Sequence, residues 1–495
     1  MFAKHTIAAG RQMSAVRRAM LSVRRFTGAH HPGASATAGA GAAPASEWTN
    51  PDPGSEFGVS GEAGFLPRRE PLAVLPSYFE GLDELLRDMP IQRSDGTLGL
   101  LHTGQLGARV ERELPQYDVE FVFDRRILAA LYRDYSMLAS AYLLEPCDIQ
   151  FRLARNYGLA RRILPASIAV PLETVARRLG QKPFLEHSAF TLYNYRRRDA
   201  AKPAALDNLE PVRCFSGCDR ERSFIAGHVA AAGHTGAVVD ASQGILRAAQ
   251  LDDRGAFDGA LRRYAEAMGR INDILAQTLR GCGEYASFRT FLNGSRAQSM
   301  FSSGGVLFES AAQIAPHRYL GVAQSSSPVA SLSTHLFQLS ALSPRGALPC
   351  ADGIDRLRAP NHRSFLAHIA ARARAVDVQA YALRSAASSA EYVAALGQVL
   401  TYRHRQWANL RDAAPVVSAR DGPAYAKYLD VQTAHVRDIA ELVRRAHANT
   451  DLERLPPPLR ARSEAVVHAA EAARRALDRV LAAAEPAPLP ASIAE

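Results

Sequence analysis

The strongest constraint on this chain is a run of apolar residues at helical spacing from Ala256 to Arg280. Phe257, Leu261, Tyr264, Met268, Ile271 and Leu275 make one continuous stripe there. A stripe of that length has to be buried against similar faces, and the chain supplies them. Helical patterns recur near Pro76–Arg87, Asp124–Leu144, Glu221–Gly233, Glu284–Asn293, Val329–Leu342, Asn361–Arg374 and Ala390–Asp412. Strand-like alternation is scarce, which argues against a parallel α/β fold. The expected fold is mainly α: a small N-terminal domain of mixed and helical character, then a larger all-helical domain.

Residues 1–60 should not pack. They begin with Lys4, Arg11, Arg17, Arg18, Arg24 and Arg25, all before the first acidic residue, Glu47, and continue into an Ala/Gly/Ser/Pro stretch. The first 26 residues fit a basic amphipathic presequence, and the Ala/Arg richness of the whole chain equally suits a bacterial extension or a misplaced start codon, so the expected address is cytoplasmic, or mitochondrial if the presequence reading holds. Residues 61–213 form the expected small domain. Within it, Ile163-Leu-Pro-Ala-Ser-Ile-Ala-Val-Pro171 reads as extended, because each proline disfavours helix in the residue before it, and Pro171 then suits the first turn of the next helix. Residues 214–440 form the large helical domain. Residues 441–495 form an extra helical segment, part of a tail from about Asp430 whose two helices are broken at Leu455-Pro-Pro-Pro458 and which is a candidate oligomer element.

Of the net charge of +10, six positive charges sit in the basic N-terminus, so the remainder is mildly basic with no stripe of the kind that tracks nucleic-acid phosphates. No apolar run reaches the roughly 20 residues of a membrane span. The five cysteines are odd in number and widely spaced; Cys214 and Cys218, the one close pair, have no second pair to complete a zinc site. Phosphate loops, His-Glu-x-x-His and Gly-x-Ser-x-Gly are absent from the sequence.

On the helix over Ala390–Asp412, Val393, Leu396, Leu400, His404 and Trp407 continue one apolar stripe. An imidazole on such a face is either a hydrogen-bonded core residue or a ligand for a metal centre such as haem iron. Arg403 and Arg405 flank it, and guanidinium groups pair well with carboxylates such as haem propionates.

Several segments, spanning roughly Phe65 to Leu429, resemble the indoleamine 2,3-dioxygenase family, the haem enzymes of tryptophan breakdown. Arg161-Arg-Ile-Leu-Pro-Ala-Ser-Ile-Ala-Val-Pro171 is similar to the family's Leu-Pro-x-x-Ile-Ala-Val-Pro, with Asn194-Tyr195 and Lys202-Pro203 following in order. Ser287-Phe-Arg-Thr-Phe-Leu-Asn-Gly294 resembles its Arg-x-aromatic-Leu-x-Gly, and Gly321-Val-Ala-Gln-Ser-Ser326 its Gln-Ser-Ser turn. Pro360-Asn-His-Arg-Ser-Phe-Leu366 resembles Pro-x-His-Arg-x-Phe-Leu, and His404 falls in register with the proximal histidine.

The resemblance implies haem b ligated by His404, with Ser325 and Ser326 lining the cofactor and Arg403 or Arg405 taking over the propionate contact, since the arginine expected three residues earlier is Thr401. It implies Arg289 on the substrate carboxylate and Phe224 against the indole. His228 stands where this family has a serine and the related tryptophan 2,3-dioxygenase has a histidine, and is expected to act catalytically on the indole N–H. His187 replaces a pocket-wall tyrosine. Glu284 replaces an aromatic five residues before Arg289, with Tyr285 beside it. The implied reaction inserts O2, as co-substrate, across the indole C2–C3 bond of L-tryptophan or a close analogue, with an electron donor keeping the iron ferrous. The alternatives are an enzyme that rearranges or mono-oxygenates a modified aromatic amino acid, and a non-catalytic haem sensor.

Overall fold

A computed structural model describes residues 48–278, 286–296, 298, 300–301, 305–310, 316–322, 327–339, 355–413 and 422–484. The basic N-terminal stretch lies outside the described residues. The molecule is mainly α, as expected. In the first part of the chain, α1 (Glu80–Asp88) packs on α3 (Leu106–Glu113), and α2 (Leu100–Thr103), α3 and α5 (Ala166–Leu179) pack on the long α4 (Arg125–Ala154). Among the described residues four short strands, β1 (Ile163–Leu164), β2 (Tyr195–Arg197), β3 (Leu209–Pro211) and β4 (Leu307–Phe308), form two pairs: β1 with β4 in parallel and β2 with β3 antiparallel.

Asp124 starts α4 by accepting the N–H groups of Arg126 at 2.7 Å and Ile127 at 3.4 Å, the usual N-cap arrangement. The sequence pattern ends this helix at Leu144, yet it runs to Ala154 with Pro146 inside. A proline frees the carbonyl four residues earlier, here that of Tyr142. The Arg161 guanidinium donates to that carbonyl, and the Arg161 N–H donates to Leu143 O at 2.9 Å. A distant arginine thus replaces the lost helix bonds.

The segment before Pro171 is a second correction. Only Ile163, Leu164 and Pro165 are extended; Val170 is helical and Pro171 lies inside α5. The helix starts early because Pro165 serves as its N-cap, its carbonyl accepting from Ile168 N at 2.9 Å and Ala169 N at 2.8 Å.

The second part contains α6 (Asp219–Ala232), α7 (Thr235–Gln250), α8 (Arg254–Thr278), α9 (Ala286–Arg289), α10 (Pro328–Leu336), α11 (Pro360–Val376), α12 (Val378–Ala382), α13 (Ala386–Ala413), α14 (Gly422–Ala448) and α15 (Pro457–Ala484). The sequence reading missed α7, whose buried Val238, Val239, Ile245 and Leu246 are interspersed with small residues. The helix expected over Glu284–Asn293 is α9 and a 3-10 turn, Thr290–Leu292. The one expected to reach Leu342 ends at Leu336, and Gln338 takes a left-handed φ of 54°.

Helix α13 packs against α8, α14 and α15. The expected boundary between residues 440 and 441 falls inside α14. Val436, Ile439, Val443 and Leu477 join the core around α8 and α13, so the C-terminal helices extend that core. Arg474, Arg475, Asp478 and Arg479 are exposed, as the pattern predicts. A second core surrounds α4 and also takes in Ile225, Val229, Phe288 and Phe291, from beyond the expected boundary at Arg213. Among the described residues, no helix is long and apolar enough to cross a membrane.

Candidate active site

Helix α6 carries Phe224 and His228, and its start is held by a buried carboxylate. Glu221 accepts the N–H groups of Phe215, Ser216 and Gly217 at 2.7, 2.7 and 2.9 Å and the Ser216 hydroxyl at 2.8 Å. Cys218 is the N-cap, its sulfur accepting from Glu221 N at 3.5 Å, while Cys214 is a separate buried thiol. Gly227 brings α6 close to α8: a Cβ there would meet Thr278 Oγ1 at 2.4 Å.

His228 lies one turn after Phe224, with ring centroids 4.2 Å apart, and its Nδ1 is 2.8 Å from Phe224 O. Burial holds its pKa below the usual imidazole value, so the ring is neutral. A carbonyl only accepts, so this hydrogen bond assigns the proton to Nδ1 and leaves Nε2 as an acceptor.

His187 meets His228 edge-on at 5.7 Å. The Thr191 hydroxyl donates to His187 O at 2.7 Å, so its oxygen accepts from His187 Nδ1 at 3.2 Å. His187 Nε2 is therefore also an acceptor, buried and without a hydrogen-bond partner. Burial, then His228 and Arg358, keep this ring's pKa well below the usual value.

Phe190 and Phe288, which the sequence reading did not single out, complete the cluster, with rings 6.1 and 5.5 Å from that of Phe224. Nothing in their spacing separates them from ordinary core residues. Arg289 follows Phe288 on α9 and is only 8% exposed, which rules out a surface arginine. Glu284, Tyr285, Ser325 and Ser326 lie outside the described residues.

His404 sits on α13 between buried Leu400 and Trp407, as its stripe predicts. Its ring stacks on that of Trp407 at 5.4 Å and 25°. Burial, then Arg411 and Arg405, lower its pKa, so it too is neutral. Its Nε2 is buried with no hydrogen-bond partner. An imidazole nitrogen left unpaired in this way fits a haem-iron ligand.

The flanking arginines do not share that face, because successive helix residues turn by about 100°. Arg403 Nη2 donates to Ala330 O at 3.0 Å and Thr334 Oγ1 at 2.8 Å on α10, and Arg405 Nη1 donates to Asn272 O at 2.6 Å on α8. Their visible role is to tie α13 to its neighbours. Buried Arg358 donates to Ser331 Oγ on α10 at 3.0 Å, and its charge is among the causes that depress the His187 pKa.

These features define a mainly helical protein with a neutral, unpaired imidazole on a core helix and an aromatic cluster bearing two further acceptor imidazoles. The family model described as "Indoleamine 2,3-dioxygenase" matches residues 54–408, a range that includes all of these side chains. The chain belongs to the indoleamine 2,3-dioxygenase family.

It is similar to indoleamine 2,3-dioxygenase 2 of Mus musculus, 30% identical over 169 residues, which are 34% of this chain and 37% of the mouse protein. It is also similar to a myoglobin of Haliotis diversicolor, 26% identical over 70% of this chain and 86% of that one. A third relative is 6-hydroxytryptophan 2,3-dioxygenase fscD of Fusarium equiseti, 25% identical over 51% of this chain and 59% of the fungal one.

Proposed function

We propose that the protein is a haem-dependent dioxygenase that converts L-tryptophan, or a close indole analogue, to an N-formylkynurenine-type product. The observation that carries this reading is the buried, unpaired Nε2 of His404 on the core face of α13, supported by family membership. His404 holds haem b, which, kept ferrous by an electron donor, supplies the activation of O2. The rest of the work belongs to the protein's own side chains. Arg289 binds the substrate carboxylate through its planar guanidinium. Phe190, Phe224 and Phe288 pack the indole and exclude water. His228 Nε2 accepts the indole N–H, which sets the ring's orientation and gives its proton a place to go. Both atoms of O2 enter across the C2–C3 bond, so substrate and O2 together account for every atom of the product. Ferrous protein supplied with L-tryptophan and isotopically labelled O2 should yield a product carrying two labelled oxygen atoms. The absence of any such product across a panel of tryptophan analogues rejects the reading.

A modified indole is the second reading, favoured by the unpartnered Nε2 of His187 beside His228. A hydroxyl on the indole ring would supply the donor that this acceptor lacks. The name of the fungal relative, a 6-hydroxytryptophan dioxygenase, is in keeping with that chemistry. Haem absorption shifts on titration with tryptophan and its ring-hydroxylated derivatives separate the two readings. If ferrous protein binds O2 stably and transforms none of these compounds, the haem-sensor reading replaces both.

A further inference from the structure

Helix α14 lies beyond the family-matched residues 54–408, yet it reaches the support of His404. Trp407, fully buried, donates its indole N–H to Thr433 Oγ1 on α14 at 2.9 Å. The Thr433 hydroxyl proton is already committed to Leu429 O at 2.8 Å, so the lone pair that receives the indole N–H has a set direction. The opposite end of the contact is the near-parallel stack of Trp407 on the His404 ring, at 5.4 Å and 25°. The Arg411 guanidinium lies 5.2 Å from the Trp407 ring.

We propose that Thr433 and Trp407 are positioning residues: the Thr433 hydroxyl on α14 locks the Trp407 indole, and the indole locks the plane of the His404 imidazole. A ligating histidine is normally oriented by a hydrogen bond from its other ring nitrogen to a carboxylate or carbonyl. Among the described residues no carboxylate pairs with His404. The aromatic stack, anchored from a helix outside the family-matched region, takes over that task. The proposal rests on His404 being the haem ligand.

The test uses the full chain loaded with haem and compares wild type with Thr433→Val, Thr433→Ser, Trp407→Phe and His404→Ala. Thr433→Val keeps the shape and removes the acceptor; Thr433→Ser keeps the acceptor; Trp407→Phe keeps the stack without a buried N–H to satisfy. The readouts are the iron–histidine stretching band of the ferrous protein by resonance Raman and the rate of haem transfer to apomyoglobin. Thr433→Val and Trp407→Phe should shift or broaden the band and release haem about tenfold faster, the low end for removing a support of a metal ligand. Thr433→Ser should behave as wild type. If His404→Ala abolishes the band while Thr433→Val and Trp407→Phe leave band and rate unchanged, the positioning role is overturned and the ligand stands. If His404→Ala leaves the band intact, the ligand assignment fails and the positioning role fails with it. Should Thr433→Val not fold, Trp407→Phe decides alone.

Discussion

A neutral imidazole has one donor and one acceptor nitrogen, and local hydrogen bonds settle which is which at His228. With Nδ1 committed to Phe224 O, Nε2 is the nitrogen that would accept the indole N–H of the proposed substrate. Wild type should therefore prefer tryptophan over 1-methyltryptophan, which has no indole N–H, by about 1–3 kcal/mol in kcat/KM. His228→Ala should lower the tryptophan rate and erase that preference, as steady-state kinetics on both substrates will show.

His435 makes a prediction about pH. Burial, then Arg403, push its pKa down to about 3, and its Nε2 has no hydrogen-bond partner. Unfolded, the same ring titrates near 6.5, so between these values the unfolded chain binds the extra proton. Stability is then lost as pH falls below about 6.5, by about 2 kcal/mol at pH 5 from this residue. Urea unfolding at pH 7 and pH 5 should show a smaller loss for His435→Gln than for wild type. His404 was legible in the sequence because its position on an apolar stripe is local information. The partners of Arg403 and Arg405 were not, because α10 and α8 reach those side chains only after folding.

At the scale of elements, the apolar periodicity showed where most helices lie and failed where distant groups intervene. Pro146 reads as a helix stop until Arg161 is seen to take the carbonyl it frees. Gly397 reads as a weak point in α13 until its neighbour is known: a Cβ there would meet Val466 Cγ1 of α15 at 2.6 Å. Gly397→Ala should therefore destabilise by about 1–3 kcal/mol through overpacking, although alanine is the better helix former. Val466→Ala should relieve most of that loss, and a double-mutant cycle of urea midpoints will measure the coupling. Glu221 holds three backbone N–H groups and a hydroxyl at the head of α6. Glu221→Ala should cost about 3 kcal/mol or more, since several buried donors lose their partner together. Its midpoint in urea will show this.

Across the whole molecule, buried charges tie the first part of the chain to the segment after β3 that leads into the second. Arg213 pairs with Asp83 on α1 and with Asp134 on α4, the latter at 3.0 Å, and Arg133 joins them. Burial alone would raise the Asp134 pKa, but Arg133 and Arg213 outweigh it and hold the carboxylate below its usual value. Arg213→Met removes one of the two buried guanidinium partners of Asp134, leaving Arg133 in place, and should cost about 1.5–3 kcal/mol in urea unfolding. The sequence by itself determined the helical class and the apolar stripe that carries His404, because periodicity is a local property. Only the tertiary structure decided that His187 and His228 form a pair of acceptors, that the arginines beside His404 serve neighbouring helices, and that α14 reaches Trp407. Those facts depend on segments far apart in sequence meeting in a packed core, where an unpaired polar atom is costly and each partner is set by geometry.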